Sequence, residues 1–233
     1  MRCVLLLILL LLVYLTAPAL CQDNSIVVWQ HFPYDSSVLA SYGGQGPSAT
    51  PVLTGPAISN TTRRFGTGSA FNSAPSRKGY VVISYTRTAS WSLSFWLFLA
   101  ANISSNAGRI FVPDPNTQQP DFDFFVAQGD VLMLYYDNML VSERVLTLPL
   151  LAWTHVVVTG TDGGGGTSVS TQPYINGTAV DGTINLPSQA PTGAKNYNAL
   201  LDGGLYVDEL WTLNGALSAS QVRQLYTSNT FSQ

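Results

Sequence analysis

Ser90-Trp91-Ser92-Leu93-Ser94-Phe95-Trp96-Leu97-Phe98-Leu99 is the stretch on which the fold turns. Trp91, Leu93, Phe95 and Leu97 fall on one side of an extended chain. Ser90, Ser92 and Ser94 fall on the other, which turns apolar from Trp96 onward. A period of two is the pattern of a strand with one face against a core. Working outward, runs of the same kind recur at Ile26–Trp29, Gly79–Tyr85, Arg109–Val112, Phe122–Ala127, Val131–Tyr136, Trp153–Thr159, Gln172–Ile175 and Gly204–Leu213. They are rich in Val, Phe, Tyr, Trp and Thr, which suit a pleated, half-buried surface. About ten such strands with no strong interior helix predict an all-β, antiparallel sandwich or barrel.

The segments between the runs carry turn chemistry. Asn176-Gly177 predicts a two-residue type I′ hairpin, because both central residues need positive φ. The run Gly163 to Gly166 reads as a loop tip; no Gly-Lys-Ser/Thr follows it, so it is no phosphate cradle. A short C-terminal helix is predicted over Leu217–Tyr226. Ser218 is its N-cap, Gln221 completes a capping box, and Val222, Leu225 and Tyr226 share one face.

Composition bounds the function. Of 233 residues, 46% are hydrophobic and only 10% charged, with a net charge of -3. That balance excludes nucleic acid as the partner, since the phosphate backbone demands clustered positive charge. Residues 1–21 have the layout of a secretory signal: Arg2, an apolar run from Val4 to Leu15, then small residues up to Cys21. The run is shorter than the roughly 20 residues of a membrane span. Cleavage is expected after Ala19 or Cys21, leaving residues 22–233 as one extracellular domain with no membrane span. Both cysteines, Cys3 and Cys21, belong to the leader, so the domain has no internal disulfide and must be held by its core. Asn60-Thr61-Thr62, Asn102-Ile103-Ser104 and Asn176-Gly177-Thr178 are acceptor sequons for N-glycosylation.

Three segments in order carry a resemblance: Leu151-Ala152-Trp153-Thr154-His155-Val156, then Tyr174-Ile175-Asn176-Gly177, then Val207-Asp208-Glu209-Leu210-Trp211 running into Ala216-Leu217-Ser218. Phe65-Gly66-Thr67-Gly68-Ser69-Ala70-Phe71-Asn72 precedes them. Together they resemble the laminin-G-like or pentraxin-like branch of the concanavalin A-like lectin/glucanase superfamily. The resemblance implies a jelly roll of two curved sheets and a role in binding. It also implies one structural calcium, held by Asp208 and by backbone oxygens near Asn72. The chain departs from the family by having Asn72-Ser73 where many members have Asp-Gly, although an Asn carbonyl is still an acceptable calcium donor. No other cofactor is expected.

The residues argue against catalysis. The superfamily's glycosidases use paired carboxylates, but their Glu-x-Asp-x-x-Glu pattern is absent, and the only glutamates are Glu143 and Glu209. A Ser-His-Asp triad would need His31 or His155. His155 sits among valines in a strand, where a structural histidine is expected. Zinc lacks ligands. For binding, Asp121, Asp123, Asp137 and Asn138 can bind calcium or sugar hydroxyls, or can form a solvated acidic face. Tyr34, Tyr42 and Tyr197 lie in Gly/Pro/Asn-rich stretches, where a ring can stack on a sugar or simply pack the loop. Asp208 with Glu209 suits a structural metal or a backbone tie better than a sugar. The function expected is a secreted recognition module for a glycan or glycoprotein. The alternative is a structural subunit of a matrix, coat or appendage. Its self-association would be steered by a basic stretch (Arg63, Arg64, Arg77, Lys78, Arg87) and the aspartates between Asp114 and Asp137.

Overall fold

The structure is a computed structural model and describes residues 27–32, 56–59, 61–72, 79–102, 108–113, 122–127, 131–136, 139–162, 168–180, 182, 184–187, 193–201 and 205–230. Fifteen strands and one helix lie in these segments. In order they are β1 (Val27–Phe32), β2 (Pro56–Ser59), β3 (Ser69–Asn72), β4 (Gly79–Arg87), β5 (Ser90–Leu99), β6 (Gly108–Pro113), β7 (Phe122–Ala127) and β8 (Val131–Tyr136). β9 (Met139–Thr147), β10 (Trp153–Asp162), β11 (Ser168–Ile175), β12 (Thr178–Ala179), β13 (Ile184–Pro187), β14 (Gly193–Leu201), β15 (Leu205–Asn214) and α1 (Ala219–Ser228) follow. The strands form two antiparallel sheets. A nine-stranded sheet runs β12-β11-β10-β5-β15-β3-β2, with β1 on β15 and β13 on β11; a six-stranded sheet runs β4-β14-β6-β7-β8-β9. This is the all-β sandwich with a short C-terminal helix that the sequence predicts. Among the described residues no helix is long and apolar enough to cross a membrane.

β5 is the centre of the larger sheet, between β10 and β15, and its alternation works on both faces. Trp91, Leu93, Phe95, Leu97 and Leu99 are 0–1% exposed and form the inner side of the sandwich. Thr154, Val156 and Val158 of β10 pair with Leu97, Phe95 and Leu93 and lie on the same side. Burying each such large side chain is worth about 1.5–3 kcal/mol, which is how a domain without disulfides is held. Gly160 is part of this packing. It pairs with Trp91, and a Cβ on it would come within 2.3 Å of the Trp91 indole.

The serine face is buried as well, because α1 covers it. Val157, Tyr174, Trp211 and Leu213 of the sheet pack with Leu217, Val222 and Leu225 from the helix and the chain entering it. Ser92 is used in this junction: its Oγ donates to Gly215 O at 2.8 Å and accepts from Leu217 N at 2.9 Å. The helix starts as its sequence requires. Ser218 Oγ accepts from Gln221 N at 3.4 Å and Gln221 Oε1 accepts from Ser218 N at 2.8 Å, closing the capping box. It ends at Asn229 in the left-handed conformation (φ 51°).

The Asn176-Gly177 hairpin forms with the two-residue loop expected: Ile175 pairs with Thr178, and the turn residues have φ of 50° and 77°. Asn176 also ties the turn to β10. Its backbone N donates to His155 O, and its Oδ1 accepts from His155 N, both at 2.9 Å.

Candidate functional site

On the helix-bearing face, one row crosses three central strands: His155 of β10 pairs with Trp96 of β5, and Trp96 pairs with Asp208 of β15. Alternation places these three on the side covered by α1, and each is nearly sealed from water, at 1%, 2% and 0% exposure. The rings stack. Trp96 lies 4.8 Å from His155, and Tyr226 of α1 lies 5.6 Å from Trp96 at 20° and 5.9 Å from His155 at 30°. The segment before β3 closes the row from above. Phe65 meets Trp96 edge-on at 5.6 Å. The exposed Arg64 places its guanidinium carbon 4.4 Å from the Trp96 ring centre and 4.6 Å from that of Phe65.

Asp208 holds that segment in place. Oδ2 accepts from Arg64 N at 2.8 Å and Phe65 N at 3.2 Å, and Oδ1 accepts from Glu209 N at 2.9 Å. Burial pushes its carboxyl up to about 7, against the opposing pull of the three N–H bonds. Asp208 is therefore a backbone tie, one of the two roles its sequence context allows. Directly after it, β15 bulges against β5: the register slips between Asp208 and Trp211, and Glu209 takes φ 50°. The bulge sends the Glu209 carboxylate to His31 of β1, whose Nε2 lies 2.5 Å from Oε2. The His31 ring stacks on Trp211 at 3.5 Å and 13°. This pair closes the first strand of the domain onto the last.

These contacts decide against a hydrolytic centre. Ser94 Oγ and His155 Nε2 are 2.9 Å apart, the spacing of a nucleophile and its base. Yet burial, helped by the nearby positive charge of Arg64, pulls His155 down to about 3, which makes it a weak proton acceptor near neutral pH. Among the described residues its Nδ1 has no partner, where a triad would place an acid, and Ser94 is 1% exposed. Of the two carboxylates beside this row, Asp208 is committed to three backbone N–H groups and Glu209 to His31. Neither faces an open cleft as the acid or nucleophile of a glycosidase must.

The residues around Asp208 do not fit the calcium that the resemblance implies. Three N–H dipoles point at its oxygens, so the carboxylate faces positive charge already, and a cation would compete with them. Asn72 is not beside it: the β3–β15 ladder pairs Tyr206 with Phe71 and Val207 with Ala70, so Asn72 and Asp208 stand beyond opposite ends of it. Among the described residues, no group of three or more His, Cys, Asp or Glu side chains is placed to hold a metal ion.

The other sequence candidates are scattered. Tyr197 is in a strand rather than a loop: in β14 it pairs with Ile83 of β4 and Pro113 of β6. Asp123 lies within β7, opposite Tyr135. Asn102 is exposed at the end of the turn after β5, and Asn176 is exposed in its hairpin. Tyr34, Tyr42, Asn60, Asp121, Asp137 and Asn138 lie outside the described residues. Sequence reasoning passed over Arg64, Phe65, Trp96 and Tyr226 as a group. The available signals were Phe65-Gly66, read only as the approach to a strand, and Tyr226, read only as part of a buried helix face.

Known proteins place this architecture. Residues 75–223, more than half of the chain, match the Laminin_G_3 family model, described as the concanavalin A-like lectin/glucanases superfamily. The chain belongs to this superfamily. Among solved structures, this superfamily member is similar to Domain 4 of AbnA, a GH43 extracellular arabinanase from Geobacillus stearothermophilus, in complex with arabinotriose. The identity is 18% and the TM-score 0.63, over 88% of this chain and 100% of that domain. It is similar to the binding domain of botulinum neurotoxin DC in complex with SialylT, at 14% identity and TM-score 0.62, over 89% of this chain and 52% of that one. It is also similar to botulinum neurotoxin type C, which depends on interaction with two ganglioside molecules to enter cells, at 15% identity and TM-score 0.63, over 88% and 52%. The chain thus spans about half the length of these toxin chains. At these identities the likeness is one of fold. No curated protein matches the sequence.

Proposed function

We propose that the chain is a secreted, non-catalytic recognition domain that binds carbohydrate or glycoprotein surfaces. The observation that carries the reading is the match of this jelly roll to the whole of Domain 4 of an arabinanase, solved in complex with arabinotriose. The toxin binding domains, with SialylT and ganglioside, point to the same class of ligand. The buried His155 and the tied carboxylates of Asp208 and Glu209 support the absence of chemistry at this row. A glycan array probed with the secreted chain, with and without calcium, tests the reading. Specific, saturable binding to a saccharide supports it, and a blank array counts against it.

Secretion and glycosylation belong to the same proposal. The mature chain is expected to begin at Leu20 or Gln22. N-terminal sequencing of secreted material that returned Met1 would refute this. Of the sequons, Asn102 is the best acceptor among the described residues, because Asn176 sits in a tight turn with its side-chain oxygen bonded to β10. A mass unchanged by glycosidase in material from a eukaryotic host would exclude it.

A second reading, as a structural subunit of a matrix, coat or appendage, rests on one observation. Leu150 and Leu151, at the turn between β9 and β10, are 44% and 70% exposed. Sedimentation of the secreted chain separates the readings: large particles that form without any glycan favour assembly, and a monomer favours recognition.

A further inference from the structure

We propose that Arg64, with Phe65 and Tyr226, forms a binding site for a carboxylate-bearing sugar on the helix-covered face of the nine-stranded sheet. The inference rests on the carbohydrate-recognition reading and narrows it to a place and a ligand class.

The guanidinium is the first observation. It is exposed, and its plane is supported by two rings, 4.4 Å from Trp96 and 4.6 Å from Phe65. A supported guanidinium presents a flat fork of N–H donors that matches the two oxygens of a carboxylate. Among the described residues no carboxylate takes that fork: Asp208 bonds the backbone N–H groups of Arg64 and Phe65, and Glu209 bonds His31.

The second observation is the rigidity beneath. Two successive backbone N–H groups are pinned to the one buried oxygen of Asp208, so the loop is fixed before any ligand arrives and little ordering is left to oppose binding. Phe65 and Tyr226 are both half-buried, which leaves aromatic surface at the rim for the C–H face of a sugar ring. The hairpin braces Tyr226: a Cβ on Gly177 would come within 3.1 Å of its ring.

A cationic arm over an aromatic rim suits an acidic saccharide, and a neutral sugar has no use for the cation.

The test is calorimetric titration of the full secreted chain with 3′-sialyllactose, trigalacturonate, lactose and 3′-sulfolactose, repeated with Arg64→Gln. Asp208 engages the backbone at position 64, so the variant keeps the loop's ties, and an unchanged melting temperature verifies this. The expected result is that a carboxylated probe binds on the order of tenfold or more tightly than lactose, and that Arg64→Gln removes this preference. The sialylated and uronate arms identify which acid is preferred. Equal affinity for lactose and the carboxylated probes, equal affinity for the sulfated and carboxylated ones, or a preference that survives Arg64→Gln overturns the proposal. Any of these leaves carbohydrate recognition standing. Binding of no saccharide at all overturns both.

Discussion

Asp208 and His155 flank Trp96 in one buried row, and the same burial acts on them with opposite sign. The Asp208 carboxyl is raised from 3.8 to about 7, so the folded state holds a proton that the unfolded chain releases. Its contribution is fully present below about pH 4 and is lost as pH rises to 7. His155 is lowered from 6.5 to about 3, so there the unfolded chain is the proton-binder. Its contribution is present above pH 6.5 and is lost as pH falls to 3. Between about pH 4 and 6.5 the two slopes oppose, and the wild-type melting temperature is expected to be nearly flat. Asp208→Asn should leave the histidine slope alone and make the protein acid-labile; His155→Gln should leave the aspartate slope and make stability fall toward neutrality. Melting curves of the three proteins at pH 4, 5, 6 and 7 check this, and parallel profiles would contradict it. Asp208→Asn should also cost about 1–3 kcal/mol, because an amide offers one acceptor oxygen where the carboxylate serves three donors on two. Gly160→Ala belongs to the same scale. Its new methyl would stand 2.3 Å from the Trp91 indole, so urea unfolding should show a loss of about 1–3 kcal/mol. No change would mean that Trp91 has room to move.

Elements whose signals are local could be read from the chain alone. The Asn176-Gly177 turn and the Ser218–Gln221 capping box stand where their residue types demand, because each depends on a few neighbouring backbone groups. Both can be tested singly. Gly177→Ala forces a side chain into φ 77° and toward Tyr226 at 3.1 Å, and should cost about 1 kcal/mol or more. Ser218→Ala should cost about 1 kcal/mol through the lost cap. A stability unchanged by Gly177→Ala would mean that the turn does not brace the helix. Other strands escaped the reading because pairing, not propensity, makes them. β14 (Gly-Ala-Lys-Asn-Tyr-Asn-Ala-Leu-Leu) is poor in strand formers and is held between β4 and β6. β9 carries Ser-Glu-Arg at its centre, and β2 opens on Pro. Nothing local on the serine side of β5 announces that a helix more than a hundred residues later will cover it. The Arg64–Trp96–Tyr226 cluster was invisible for the same reason: its members come from a loop, a strand and a helix far apart in sequence.

At the scale of the molecule, two sheets and one helix hold His155, Asp208 and Glu209 in buried structural contacts and leave Arg64 exposed on an aromatic support. Such a body is made to present a surface. Three N–H groups already engage Asp208; melting in calcium and in chelator is therefore expected to coincide, and a rise with calcium that Asp208→Asn abolishes would contradict that expectation. On the proposed function, this superfamily member recognises saccharide without altering it. One measurement tests it most directly: a glycan array of the secreted chain, with each bound glycan recovered and weighed by mass spectrometry after prolonged incubation. Saturable binding to a defined set of glycans, all recovered intact, is the predicted result; an array with no specific signal, or glycans recovered in shortened form, would contradict it.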